Sequence, residues 1–352
     1  MKLGICAYPL SKGIETGRGL ERVMEEFCNY LSKNDISFDF YDNGIIRSDW
    51  KAMLLSYPYL LSLKRKNNIG YFAIYGVAGI YPAFLNKKPL VSLITDLIPF
   101  NVRSYDNMFR YSIKRWCIRY SCLKSDQLIV GSSSIKNEIV KRFKVNPDKI
   151  TIVPWGLSHD TYFPNSDVKK IKHRISFLGE ARRAKGIDSL IKAFKYVLEK
   201  VPDASLSIAS NGYEVEEMKQ LAAQSLPASS YKFEGFIPEE KMNEYYNAAD
   251  LFIFPSRYGF GLSALEAMAC GTPTLVGNTL DAKDFFTDSD LLVNPEDEKQ
   301  IAEKLIYLLL NEEIKKQKSV QAIEIAKKFS WEEMSRKYYQ VCMNALDKQK
   351  NK

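Results

Sequence analysis

Short runs that are apolar throughout alternate with longer stretches whose apolar residues recur three and four positions apart, and the alternation persists along the whole sequence. The short runs are Leu3–Ala7, Ser37–Tyr41, Tyr71–Tyr75, Leu90–Ile94, Gln127–Val130 and Ile150–Val153. Beyond a polar patch at Pro164–His173 they resume as Ile175–Leu178, Leu206–Ala209, Leu251–Phe254 and Thr274–Val276. Leu20–Leu31 and Ile135–Phe143 are of the longer, amphipathic kind. A strand without a polar face must be covered on both sides, and helices between consecutive strands supply that cover, so the pattern predicts parallel sheets. Two such blocks, linked near Phe163–His173, predict an α/β chain of two doubly wound, Rossmann-like domains facing across a cleft. A length of 352 residues agrees, being too great for one ordinary core. In open parallel sheets ligands bind at the carboxyl ends of the strands, so the chemistry is expected in those loops.

Composition excludes several classes. Six cysteines form no C-x-x-C pair, which rules out a zinc ribbon and argues against a disulfide scaffold. No stretch reaches the roughly 18 apolar residues of a membrane span, and Met1–Ala7 is too short an apolar run for a signal peptide. A cytoplasmic chain is expected. Charge is uneven: residues 1–164 carry 23 Lys and Arg against 14 Asp and Glu, a net of +9, and residues 44–124 alone carry 13 against 3, a net of +10. The remainder is close to neutral, so the basic half is expected to meet something anionic. A nucleic-acid partner has only that balance in its favour and no recognition motif, and none is expected.

The string Phe252-Ile-Phe-Pro-Ser-Arg-Tyr-Gly-Phe-Gly-Leu-Ser-Ala-Leu-Glu-Ala-Met-Ala-Cys-Gly-Thr-Pro273 reads as a buried strand, a glycine-rich turn and an alanine-rich helix beginning near Leu262. Backbone amides of Gly259, Phe260, Gly261 and Leu262 would gather at the positive end of that helix, where phosphate or clustered hydroxyl groups are favoured. Glu266, four residues beyond Leu262, falls on the same helix face. A second loop, Gly179-Glu-Ala-Arg-Arg-Ala-Lys-Gly186, follows another strand and opens another helix, with Lys185 a point charge for a pyrophosphate and Arg182 and Arg183 beside it.

Both strings resemble the signature of glycosyltransferase family 4, the retaining, nucleotide-sugar-dependent transferases of GT-B fold. The resemblance implies an active hexosyltransferase-like enzyme that moves a sugar from a UDP- or GDP-linked donor to an acceptor hydroxyl. It implies no cofactor and no divalent metal ion, and no strictly required enzyme base, because the departing diphosphate oxygen can itself deprotonate the acceptor. On the donor side it implies Tyr258, Gly259, Phe260, Gly261 and Leu262 around the sugar and diphosphate, Glu266 on the ribose, Lys185 on the diphosphate, and Asn211, Phe236 and Ile237 in further donor loops. Lys185, Arg182, Arg183, Glu266 and Asp96 are the implied catalytic set. Gly17, Arg18 and Gly19 resemble the glycine loop on the acceptor side, where Thr95 and Asp96 also fall. The segment 329–352 resembles a helix that returns to the first domain, giving domains at 1–165 and 166–328.

Three positions depart from the family pattern: Tyr258 stands where an acid is usual, Thr95 where a histidine is usual, and Glu180 where an arginine is usual. They motivate a second reading, a nucleotide-sugar-binding protein with impaired catalysis acting as a regulatory or partner subunit. Trp50–Lys66 and Met108–Cys122 mix aromatic, leucine and basic residues. Together with the basic balance they point to a glycan or lipid-linked acceptor and to peripheral contact with an anionic membrane.

Overall fold

The computed structural model describes residues 2–6, 19–41, 68–74, 80–97, 100, 108–279, 286 and 288–351. Of the sequence expectations, Gly17, Arg18 and the stretch Trp50–Lys66 lie outside the described residues. The chain forms two units, one made of Met1–Gly156 with Trp331–Lys352, the other of Leu157–Ser330.

In the first unit six strands form one parallel sheet: β1 (Leu3–Cys6), β2 (Phe38–Tyr41), β3 (Gly70–Ile74), β4 (Leu90–Ile94), β5 (Gln127–Val130) and β6 (Ile150–Ile152), in the order β2-β1-β3-β4-β5-β6. Leu3 stands opposite Phe38 on one side and Gly70 on the other. β1, β4 and β5 are buried along their whole length, as their unbroken apolar runs require. Among the described residues four helices accompany them: α1 (Gly19–Lys33), α2 (Ile80–Phe84), α3 (Met108–Lys124) and α4 (Ser133–Phe143). The α4 N-terminus is capped by Ser132, whose hydroxyl accepts from the Ile135 amide.

The second sheet contains β7 (Arg174–Leu178), β8 (Ser205–Ala209), β9 (Tyr231–Phe233), β10 (Leu251–Phe254), β11 (Thr274–Gly277) and β12 (Leu292–Val293), in the order β12-β11-β10-β7-β8-β9. Its helices are α5 (Ile187–Lys200), α6 (Val215–Ser225), α7 (Glu239–Asn247), α8 (Leu262–Ala269), α9 (Glu298–Leu310) and α10 (Glu312–Ala326). Strand order reverses between β7 and β10, which are hydrogen-bonded neighbours. The loops after these two strands therefore diverge above and below the sheet and leave a crevice at its carboxyl edge. That is where the two motif loops lie.

The final helix, α11 (Trp331–Lys350), is part of the first unit. Its Tyr338 ring is fully buried between Phe27 and Phe72, with ring centroids 5.8 and 5.6 Å away. Residues 157–165, placed with the first domain by the sequence, fold with the second. Tyr162 packs edge-on to Tyr246, and the Asn165 amide donates to Asn247 Oδ1 at 2.9 Å. A lone aromatic in a coil carries no periodicity, so this anchor leaves no mark in a pattern of apolar spacing.

Candidate functional site

The β10 loop is shaped by its own backbone and by one serine. Ser256 is fully buried; its hydroxyl donates to the Tyr258 carbonyl at 2.7 Å and accepts from the Tyr258 amide at 3.3 Å. The chain then turns through Gly259, with φ near 98°, to the α8 cap residue Gly261. With no side chain at the cap, the amides of the first helical turn are not covered by a capping group. The aligned peptide dipoles of α8 make that end positive.

The β7 loop is pinned against it. Gly186 has φ near 75°, and a methyl group there would sit 1.9 Å from the Pro255 carbonyl oxygen. The Arg257 amide donates to the Ala184 carbonyl at 3.0 Å. These two contacts bring Lys185 over the glycine turn. Its ammonium donates to the Tyr258 carbonyl at 3.5 Å, lies 3.3 Å from where a Gly259 Cβ would be, and is 5.6 Å from the Phe254 ring centroid.

Glu266 is 7% exposed, one turn into α8, and its Oε2 accepts from the Tyr246 hydroxyl at 2.7 Å. Burial, and then the Glu266 charge, hold the Tyr246 hydroxyl well above its ordinary pKa, so it stays a donor. A carboxylate held on a rigid helix is an acceptor suited to hydroxyl groups. The Cys270 thiol, in the same motif, is pushed up to about 12 by burial and by Glu266, which leaves it no thiolate chemistry at neutral pH.

Of the sequence-predicted donor residues, Lys185, Tyr258, Gly259, Gly261, Leu262 and Glu266 are gathered around this turn. Phe260 is buried instead, its ring edge-on to Phe329 at 6.3 Å, so its side chain serves the core while its backbone forms the turn. Asn211 stands on the adjacent loop, where its carbonyl accepts from the Ala181 amide at 2.7 Å. Phe236 and Ile237 follow β9, Phe236 being 55% exposed. The two arginines are not placed as the sequence suggested. Arg182 pairs with Glu180 at 2.9 Å and covers the Tyr213 ring. Arg183 is held by Glu217 on α6, with Asp188 at 3.8 Å, and Glu217 pulls its pKa further up. Carboxylates thus engage both guanidinium groups, and Lys185 is the cation seated over the turn. In the first unit, Thr95 and Asp96 follow β4, with the Thr95 hydroxyl 3.3 Å from Asp96 Oδ2. Gly19 opens α1.

Three residues escaped the sequence reading. Tyr246 has no local relation to Glu266, and an aromatic at helical spacing reads as core. Ser256 and Arg257 lay inside the motif without an assigned role. The Arg257 guanidinium joins Glu296, Asp188 (3.1 Å), Ser189 (3.0 Å) and the Arg183 carbonyl, fastening both loops to α5. The two histidines have other partners: His159 bonds the Phe329 carbonyl at 2.8 Å and His173 bonds Asp203 at 2.9 Å.

Two α/β units, each with a parallel six-stranded sheet, are the architecture of the GT-B glycosyltransferases. Among solved structures the chain is similar to sucrose-phosphate synthase from Thermosynechococcus elongatus, with a TM-score of 0.83 at 18% identity over 97% of this chain and 98% of that one. Anabaena HepE in complex with UDP and glucose gives a TM-score of 0.76 at 15% identity, over 97% and 98%. Mannosylfructose-phosphate synthase of Agrobacterium fabrum is 26% identical over 289 residues, 73% of this chain and 58% of that protein. The chain thus spans under two thirds of that relative's length. Residues 158–329 match the Glycosyl transferases group 1 family. The similarity to that family rests on this second unit.

Proposed function

We propose that the protein transfers a sugar, with retention at the reacting carbon, from a nucleoside-diphosphate sugar to an acceptor hydroxyl. The observation that carries this reading is the seating of the Lys185 ammonium over the Tyr258–Gly259 turn, at the uncapped, positive end of α8. In this reading the diphosphate lies between that ammonium and the amides of Gly259 to Leu262. Glu266, steadied by Tyr246, takes the ribose hydroxyls. As the glycosidic bond breaks, charge builds on the diphosphate, where fixed cations and dipoles stabilise it most. The leaving oxygen accepts the proton of the acceptor hydroxyl, so the reading calls for no protein base.

Two of the three departures from the family pattern, Glu180 and Tyr258, are compatible with this reading. Glu180 is neutralised by its own pair, Arg182, at 2.9 Å, so it adds no net repulsion to a diphosphate. Tyr258 offers one hydroxyl and an apolar ring where an acid would grip sugar hydroxyls, which selects a donor sugar held differently. The positive balance of residues 44–124 fits an anionic acceptor, a lipid-linked or phosphate-bearing glycan presented at an anionic surface. Phosphate also appears in the names of the mannosylfructose-phosphate and sucrose-phosphate synthases that the chain is similar to.

The test is a screen of UDP- and GDP-sugars for nucleotide release in the presence of acceptor glycans. Lys185→Ala is expected to lower kcat by about a hundredfold, roughly 3 kcal/mol of transition-state stabilisation. Tyr246→Phe is expected to raise the donor KM several-fold with kcat little changed, since it loosens only Glu266. Release that persists unchanged in Lys185→Ala would refute the assignment.

A further inference from the structure

α3 presents an unusual outer face. Trp116 is 54% exposed and Leu123 46% exposed, and both stand on the side of the helix opposite its buried residues Cys117, Ile118, Ser121 and Cys122. Spacing explains the division: positions 112, 115, 116, 119 and 123 recur at three and four residues and form one stripe. The stripe holds Arg115, Trp116, Arg119 and Leu123, with Lys124 beside it, and the sequence of α3 has no acidic residue at all. Trp116 is held flat against Tyr120, with ring centroids 5.3 Å apart and planes 24° apart, and the Lys124 ammonium lies 5.9 Å from the Tyr120 ring. Tyr120 packs against Ile80 of α2 and Cys117, as does Tyr81, and α2 ends on Phe84, which is 73% exposed. Lys88 follows, donating to the Lys124 carbonyl at 2.6 Å and pairing with Asp126 at 3.1 Å.

A helix ordinarily turns its large apolar side chains inward and its charges outward. Here the buried side is satisfied, and an aromatic ring, a leucine and a phenylalanine remain outside among arginines and lysines. Three partners could cover such a face. A second copy of the chain related by a two-fold axis would set one row of cations against another, which disfavours pairing. An acidic protein would complement the charge, but it would leave the isolated apolar tips, spaced along a convex helix, without a pocket to fill. An anionic bilayer satisfies both. Indole and phenyl groups settle at the level of the lipid headgroups, and arginine and lysine reach the phosphates beside them. Among the described residues no helix is long and apolar enough to cross a membrane, so the contact is one of lying on the surface.

We propose that the α3–α2 face is a docking surface for an anionic lipid bilayer, with Trp116, Leu123 and Phe84 entering the headgroup region and Arg119 and Lys124 engaging lipid phosphates. The proposal is independent of the transferase reading, because docking is measured without donor or acceptor. Failure of one leaves the other standing.

Co-sedimentation of the full chain with vesicles tests it. One set is pure phosphatidylcholine; the other holds phosphatidylcholine and phosphatidylglycerol in equal parts. Binding is expected only to the second set, and added salt should release it. Arg119→Glu is expected to weaken partitioning by more than fivefold, since a single neutralised cation near an anionic surface already accounts for about fivefold. Leu123→Ser and Trp116→Ala should also weaken it at low salt, by removing the apolar part of the contact. Unchanged thermal melting of each exposed-site variant would show that the fold is intact. Binding to neither vesicle, or binding that all three variants leave unaltered, would overturn the proposal. So would a concentration-dependent dimer abolished by Trp116→Ala, since the face would then be covered by a second copy.

Discussion

A methyl group at Gly186 would lie 1.9 Å from the Pro255 carbonyl oxygen, closer than any non-bonded pair can approach. This one position fixes how tightly the β7 loop sits against the β10 strand end, and so how near Lys185 comes to the glycine turn. Its φ near 75° adds a second obstacle, since a side chain in that region is itself strained by about 1–3 kcal/mol. Gly186→Ala is therefore expected to destabilise the second unit by more than that range, and to weaken donor binding in whatever fraction still folds. Chemical denaturation monitored by circular dichroism measures the first effect. A loss under 1 kcal/mol would show that the two loops are not in fact pressed together. At this scale much was legible in the sequence. Lys185, Glu266 and the glycines were legible because they stand in strings that resemble a family signature, each between a strand and a helix. The pairing of Arg183 was not legible, because Glu217 reaches it only through the return of α6 toward the loop, a relation no local pattern contains; Arg182 pairs with Glu180, two residues before it in the same loop.

Arg257 acts between elements. It leaves β10, crosses the β7 loop and meets Asp188 at the start of α5 and Glu296 ahead of α9. Burial works against the Arg257 charge, but Glu296 and Asp188 outweigh it and its pKa is raised. Reciprocally, the hydrogen bond from Arg257 holds the Glu296 carboxyl below its ordinary range. A lowered carboxylate pKa stabilises the fold above the ordinary carboxylate range, and that contribution fades as pH falls through the lowered value. Glu296 is 67% exposed at its side chain, so solvent screens most of the attraction. Glu296→Gln is expected to cost less than about 1 kcal/mol at neutral pH, with the gap to wild type closing below about pH 4. Urea denaturation at several pH values reads this directly; a gap that widens in acid would contradict it. Among the elements themselves, the long apolar strands were visible beforehand, whereas β9 and β12 were not. They are edge strands of three and two residues, Tyr231–Phe233 and Leu292–Val293, too short to produce an apolar run and stabilised by a single neighbour each.

For the molecule as a whole, the chain path makes the two units unequal. The second is continuous from Leu157 to Ser330, whereas the first is completed only by α11 at the far end of the sequence. Met334, Tyr338, Val341 and Leu346 are buried in it, each contributing about 1.5–3 kcal/mol, a total comparable with the net stability of an ordinary domain. Removal of residues 331–352 is expected to abolish the thermal transition of the first unit and leave that of the second, as differential scanning calorimetry would resolve. Loss of both transitions would mean that the second unit does not fold alone. The two-block organisation was readable from the sequence because each block repeats its own alternation. The exact joint was not, since it depends on Tyr162 and Asn165 finding partners on α7.

The central claim is that a diphosphate is gripped at the turn before α8 by Lys185, and a crystal structure with UDP or GDP bound tests it most directly. The account predicts phosphate oxygens within hydrogen-bonding distance of the Lys185 ammonium and the amides of Gly259 to Leu262, with the ribose hydroxyls on Glu266. Nucleotide density elsewhere in the second unit, with Lys185 still resting on the Tyr258 carbonyl, would contradict it.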